Sequence, residues 1–287
     1  MALKDNGPVL MLVTASLFAV MDIFVKLLPQ LPASEILFFR FLVSSVMVFV
    51  LFRLFRIRIR LVERKFTALR VIFGFFSVYF LFEAISLTSL SNAIVLFYTA
   101  PLFSIILSHI FLKEKAGKVV IPLFLVSFTG ILLIIKPEFS SMEPGDIYGV
   151  LSGLFAAMSF TALKKLESFE SAWTITLITI YGTLLVSMPL AVANFVMPSP
   201  EEAMMLLGTG IIGFFAILAM TFAFRYCSES EGTELLMFEA VIATILSILV
   251  LGEAVDIYSL IGFILVLSSN FYITFAHAHI DIHLHHR

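Results

Sequence analysis

Short connections divide the chain into ten mostly apolar stretches, and these connections collect prolines and most of the charges. Read from their apolar cores, the stretches run 8–28, 33–52, 68–87, 92–112, 118–136, 147–165, 172–195, 204–225, 233–251 and 257–276. About twenty apolar residues in helical form span the ~30 Å hydrocarbon core of a bilayer. Barrel strands would instead be about ten residues long and alternate in polarity. Pro29, Pro32, Pro137, Pro144, Pro198 and Pro200 all fall in the proposed connections, as helix breakers should. The sequence therefore predicts an all-α polytopic membrane protein with ten transmembrane helices. Composition agrees: 61% of the 287 residues are hydrophobic and 13% are charged, too few charges to cover a water-soluble surface. The single cysteine, Cys227, excludes an internal disulfide and a multi-cysteine metal site. "MALKDNGPVL" leads straight into the first span with no short apolar core and cleavage site, so no cleavable leader is expected.

Basic residues alternate between connections. Arg53, Arg56, Arg58, Arg60, Arg64, Lys65 and Arg70 follow the second span, Lys113, Lys115 and Lys118 the fourth, and Lys164 and Lys165 the sixth. The other connections hold Lys136 and little else. By the positive-inside rule both termini are expected in the cytoplasm, and contact of the basic loop with anionic headgroups follows.

The halves of the chain repeat each other. "LFAVM" at Leu17 returns as "LFAAM" at Leu154, "GFF" at Gly74 returns at Gly213, and "LKEKA" at Leu112 returns as "LGEAV" at Leu251. The offsets are 154−17=137, 213−74=139 and 251−112=139. A five-span unit that is duplicated must insert its second copy upside down, an arrangement found in secondary transporters with their site between the halves. The expected units are residues 1–141 and 142–276, with 277–287 as a His-rich tail. That tail, "HAHIDIHLHH", reads as a disordered cytoplasmic segment, although alternate histidines also suit a metal.

Ten spans, the five-plus-five repeat and "SNAIVLFYTAPLFSIILSHIFLKEK" (Ser91–Lys115) resemble the EamA-type branch of the drug/metabolite transporter superfamily. The ending "LxE" in both halves, at Glu114 and Glu253, fits that resemblance. It covers nearly the whole chain and implies transport of a small organic solute without fixing which one. "DIFVK" (Asp22–Lys26), "SEILFFRFLVSS" (Ser34–Ser45) and "MFEAV" (Met237–Val241) are similar to the branch that includes bacterial S-adenosylmethionine carriers. That narrower resemblance implies an Asp-x-x-x-Lys in the first span, a Glu-x4-Arg in the second and a carboxylate in the ninth.

The charges inside the apolar stretches carry the functional reading. Asp22 lies six residues below the end of the first span and Arg40 seven residues into the second, each ~9–10 Å deep at 1.5 Å per residue. Lys26 and Glu35 lie two residues from their helix ends. Depth thus permits two stacked pairs, Asp22–Arg40 and Lys26–Glu35, and pairing lowers the ~3 kcal/mol that a central charge costs on insertion. One reading is that the pairs merely pin the two spans together. The other makes Arg40 an anion anchor, because its planar fork binds carboxylate or phosphate and stays charged, with Asp22 holding it or receiving a substrate amine. Lys26 and Glu35 are assigned an ion-pair or gating role.

Glu239 interrupts "LLMFEAVIATILSILVL" with no basic residue evident at its level. It is read as a cation contact or a proton-coupling group, and Glu83, near the end of the third span, as a second proton-coupling candidate. Tyr79, Phe97, Tyr98, Trp173, Tyr181 and Phe238 lie near the same levels, where aromatic faces attract organic cations. Tyr98 and Phe238 are singled out because the repeat places them on spans four and nine. Pro101 removes a backbone hydrogen bond inside the fourth span, while its mate at offset 139 is Ala240, so a kink there is not expected to be duplicated. His109 reads as a packing residue, and Glu114 and Glu253 as structural caps.

No phosphate loop, nucleophile with its base, or metal cluster is evident. The expected function is a secondary transporter moving a small zwitterionic or cationic amphipathic metabolite by alternating access. S-adenosylmethionine is the substrate that the narrower resemblance suggests, and an exporter of amino acids or related metabolites is the alternative. A lipid scramblase or an intramembrane enzyme is the alternative of another class. The expected partners are the small-molecule substrate and the lipid bilayer, with no nucleic acid, cofactor or metal.

Overall fold

The computed structural model describes residues 7–28, 30–55, 62–88, 90–114, 119–137, 143–193, 195–251 and 256–284. All regular elements in these ranges are helices: α1 (Gly7–Lys26), α2 (Ala33–Phe55), α3 (Arg64–Leu87), α4 (Leu90–Phe97), α5 (Ala100–Leu107) with a π-helical turn Ser108–Leu112, α6 (Val120–Ile135), α7 (Pro144–Leu166), α8 (Ala172–Ala193), α9 (Pro200–Phe224), α10 (Glu229–Leu235), α11 (Phe238–Leu251) and α12 (Ile257–Leu284). Nine described segments are long and apolar enough to cross a membrane, and α6 is a shorter apolar helix of 16 residues. The protein is a multi-pass membrane protein with ten helical spans. α4 and α5 together form the fourth, and α10 and α11 the ninth.

Local chemistry fixes the helix ends. Ser199 accepts the Glu202 N–H while Glu202 reaches back to the Ser199 N–H, and Ser228 and Glu231 repeat this box at α10. Pro144 and Pro200 are not loop breakers, as their sequence positions suggested, but first helical residues, where a missing N–H costs nothing. Arg64, Lys65 and Arg70 belong to α3 rather than to the preceding loop. The last helix continues to Leu284, so residues 277–284 are helical where a disordered tail was expected.

The packing shows the inverted repeat. The most extensive contacts are α3 on α7 and α1 on α9, that is, span three on six and span eight on one. Exchanging the repeats turns one pair into the other. The pairs α6–α12 and α2–α8 map onto themselves. The fold is thus two inverted five-helix repeats. α6 and α12 touch backbone to backbone, because a Cβ on Gly130 would lie 2.7 Å from the Gly262 oxygen and one on Gly262 2.5 Å from the Gly130 oxygen.

Both members of one repeat-related pair are broken. Span four switches at Tyr98–Thr99, where the Thr99 N–H bonds the Leu96 oxygen at 3.1 Å. Span nine switches at Leu236–Met237, where the Met237 N–H bonds the Glu234 oxygen at 3.0 Å. In each case an i→i−3 bond tightens the ladder. The expectation of an unduplicated kink is corrected here: Pro101 accompanies one break, and the other forms without any proline. Tyr98, Val95 and Ile105 share one core with Met237, Ala240 and Val241, so residues beside both breaks are buried in the same core.

Candidate functional site

The two breaks bring together residues that are far apart in sequence. Asp22 on α1 and Glu239 at the start of α11 lie within hydrogen-bond reach of each other, and Arg40 on α2 acts electrostatically on both. Tyr98, at the break of span four, is close enough to feel both Glu239 and Asp22. Four spans therefore supply one cluster. Asp22, Arg40 and Glu239 are each half-buried although they lie well inside their spans.

Arg40 is the unsatisfied member. Among the described residues none accepts a hydrogen bond from it, and its Nε is buried without a partner. Its guanidinium lies 5.8 Å from the centroid of the Phe18 ring and 5.3 Å from that of Phe41. Both rings offer it a π face. Gly213 on α9 makes the room. A Cβ there would come 2.8 Å from Arg40 Nε and 3.4 Å from Met21 Sδ. A guanidinium with unused donors and no fixed carboxylate partner is suited to a visiting anion.

Some of the other expectations are corrected and some are met. Depth permitted an Asp22–Arg40 pair, and Arg40 does act electrostatically on Asp22, while the described residues show no ion pair at contact distance between them and Asp22 lies within hydrogen-bond reach of Glu239. Glu239 was expected to lack a cation at its level, yet Arg40 from α2 reaches its field. Glu35 is fully buried and Oε2 accepts the Val196 N–H at 2.9 Å, so its fixed partner is the α8–α9 connection rather than Lys26. Lys26 is exposed at the end of α1. Phe238 packs into the cores on both sides of the second break. Glu83 hydrogen-bonds with Tyr79 away from the cluster. Tyr181 donates to the Ser45 oxygen at 3.1 Å, Trp173 packs edge-on to Phe52 and Phe222, and His109 is exposed. Glu114 caps α10 by accepting the Glu229 N–H at 3.1 Å, while Glu253 lies outside the described residues.

Sequence reasoning missed a second polar layer at the end of the bundle that holds the first helical residue, Gly7. Arg225 Nη2 donates to the Glu170 oxygen at 2.6 Å, and Lys164 Nζ donates to the Phe224 and Cys227 oxygens at 2.5 Å each. Arg70 is buried and donates to Ser159 Oγ at 2.5 Å. Glu167, just beyond the end of α7, has its pKa pushed up to about 8 by burial, partly offset by Lys164 and Arg225 and reinforced by Glu114. This layer ties α3, α7, α9 and α10 together on that side of the central cluster. Only its abundance of charges near span ends was visible in the sequence.

The chain has known relatives. The model of the EamA-like transporter family matches residues 5–136 and again 143–275, once per repeat. The chain belongs to the EamA-like transporter family. It is 29% identical over 231 residues to the pseudopaline exporter CntI of Pseudomonas aeruginosa, covering 79% of this chain and 81% of the exporter. It is 25% identical over 268 residues to the S-adenosylmethionine uptake transporter of Rickettsia prowazekii, covering 93% and 90%. A solved crystal structure shares the EamA-like fold with a TM-score of 0.80 at 14% identity, covering 92% of this chain and 96% of the other.

Proposed function

We propose that the protein is a secondary transporter that carries a small amphipathic metabolite, zwitterionic or cationic, by alternating access, with both termini in the cytoplasm of a bacterial inner membrane. The observation that carries this reading is the convergence of Arg40, Asp22, Glu239 and Tyr98 beside the two helix breaks. Discontinuous helices at the repeat interface flank the mid-membrane substrate site of secondary transporters. Arg40 takes the anionic end of the solute and the Asp22–Glu239 pair its cationic end, while Tyr98 closes one wall. Phe238 flanks Glu239 on the same turn. The exposed basic residues Arg53, Arg64, Lys65 and Lys113 support the orientation, since all lie at the end of the bundle that carries Gly7.

S-adenosylmethionine fits this charge arrangement, with its carboxylate, amine and sulfonium. The relatives' names include both an exporter and an uptake transporter, and direction in a secondary carrier follows the driving gradient. The test is counterflow of labelled S-adenosylmethionine into proteoliposomes preloaded with the unlabelled compound. Transient, saturable accumulation supports the carrier and this substrate. No accumulation by folded protein discards the substrate and turns the assay to amino acids, amines and nucleosides.

A further inference from the structure

We propose that Glu234 is a proton-binding site, separate from the substrate cluster, through which proton movement drives transport. The proposal rests on the carrier reading above and assigns the coupling group within it. Glu234 sits in the last turn of α10 and is fully buried. Its Oε1 lies 2.7 Å from Ser127 Oγ of α6 and 2.6 Å from Ser269 Oγ of α12, while Oε2 has no partner. The backbone contact of Gly130 with Gly262 presses α6 and α12 together and brings both serines to one carboxyl.

The hydrogen-bond frame accepts two protonation states. Ser269 Oγ is within reach of both Glu234 Oε1 and, at 3.1 Å, the Leu123 oxygen, but a hydroxyl has one proton to give. With Glu234 ionised, Ser269 and Ser127 both donate to Oε1. With a proton on Oε1, Glu234 donates to Ser269 Oγ, Ser269 turns to the Leu123 oxygen, and Ser127 still donates to Oε1. Both patterns fit the distances seen here, and they differ in which bonds tie Glu234 to α12: Ser269 donates to it in one and accepts from it in the other.

Charge around the site favours a proton as counter-ion. The described residues of α5 and α6 include no ionisable group, and those of α12 up to Phe275 offer only Tyr258 and Tyr272. On the other elements packed against α10 lie Asp22 and Lys26 of α1, Asp146, Tyr148, Lys164 and Lys165 of α7, and Glu201 and Glu202 of α9. Glu229 and Glu231 precede Glu234 on its own helix, and Glu239 follows on α11. None of these forms an ion pair with it among the described residues, and Lys164 is committed to the Phe224 and Cys227 oxygens. A permanently ionised carboxylate without a cation is costly at this depth. The fold does not require a carboxylate here. The repeat mate of Glu234, at 234−139=95, is Val95, which is equally buried in α4.

Glu234 also sits where a change of state is felt by the substrate cluster. Its backbone oxygen accepts the Met237 N–H in the tightened turn that separates α10 from α11, and Glu239 opens the helix on the other side. The grip of its side chain on α6 and α12 sets the position of that break.

The test compares wild type with Glu234→Gln in proteoliposomes, using labelled S-adenosylmethionine in counterflow and under an imposed pH gradient, alongside infrared spectra of the same samples titrated with pH. The expected result is roughly a tenfold loss of gradient-driven uptake with counterflow kept within about twofold, and the loss of one buried carboxylic-acid C=O band. If Glu234→Gln does not fold, Ser269→Ala keeps the carboxyl and is expected to move the pH midpoint of that band. Wild-type counterflow with no net uptake driven by the imposed pH gradient overturns the proton site but leaves the carrier reading standing. Absence of wild-type counterflow removes the substrate reading, and the infrared band still decides Glu234: a spectrum unchanged in both variants overturns the site.

Discussion

Gly213 on α9 stands against the side chain of Arg40 on α2, so close that a Cβ would lie 2.8 Å from Nε and 3.5 Å from Cγ. The glycine leaves a slot for a guanidinium that none of the described protein groups uses as a hydrogen-bond donor. Gly213→Ala is expected to push the flexible end of Arg40 out of its place between Phe18 and Phe41. Concentration-dependent uptake should show KM raised several-fold, about 1–2 kcal/mol of binding, with the melting temperature little changed. An unaltered KM would show that the slot does not position Arg40 for the solute.

Asp22 and Glu239 act as a unit in this account, since their carboxyl groups lie within hydrogen-bond reach of each other. Asp22→Asn and Glu239→Gln should each impair transport, and the double variant should fall short of the sum by roughly 0.5–3 kcal/mol in a double-mutant cycle. Strict additivity would mean that the two carboxyls serve separate tasks.

The crossing of α6 and α12 tolerates no side chain at its centre. Gly262→Val is expected to lower stability by about 1–3 kcal/mol, because the added atoms meet the Gly130 oxygen and the Ile134 side chain. Thermal unfolding in detergent measures this. A variant as stable as wild type would contradict the close crossing.

Burial of Glu167 carries a pH signature. Its pKa is raised to about 8 in the folded protein from a usual value of 4.5. Between those values the folded chain keeps a proton that the unfolded chain releases, so this group's stabilising contribution is full below pH 4.5 and fades as pH rises through 8. Glu167→Gln should leave the melting temperature near wild type in acid and raise it in alkali. A difference that does not vary with pH would remove the buried acid from the account.

Much of this architecture was legible in apolar run lengths and in the repeat, because lipid forces backbone groups to bond within a segment and so prints each span into the sequence. Helix ends followed where local chemistry marks them, as at Ser199 and Ser228. The break at Leu236–Met237 was not legible. No proline or glycine marks it, and it is held by tertiary contacts, among them the shared core with α6 and α12 and the Glu234 bonds to Ser127 and Ser269. Depth arithmetic placed Asp22 and Arg40 near one level, yet it could not show that Glu239, two hundred residues on, comes nearest to Asp22. It likewise could not foresee Glu35 turning to Val196. Those contacts are set by how the two repeats dock, which no local pattern encodes.

The central claim is that Arg40 binds the transported solute through its unused donors. The most direct measurement is the counterflow rate of the solute that the wild type exchanges, in liposomes holding equal amounts of folded wild-type and Arg40→Lys protein. Lysine keeps the charge but loses the fork. The account predicts a rate lower by at least roughly tenfold, the scale of one lost bidentate contact. Equal rates in the two preparations would contradict it.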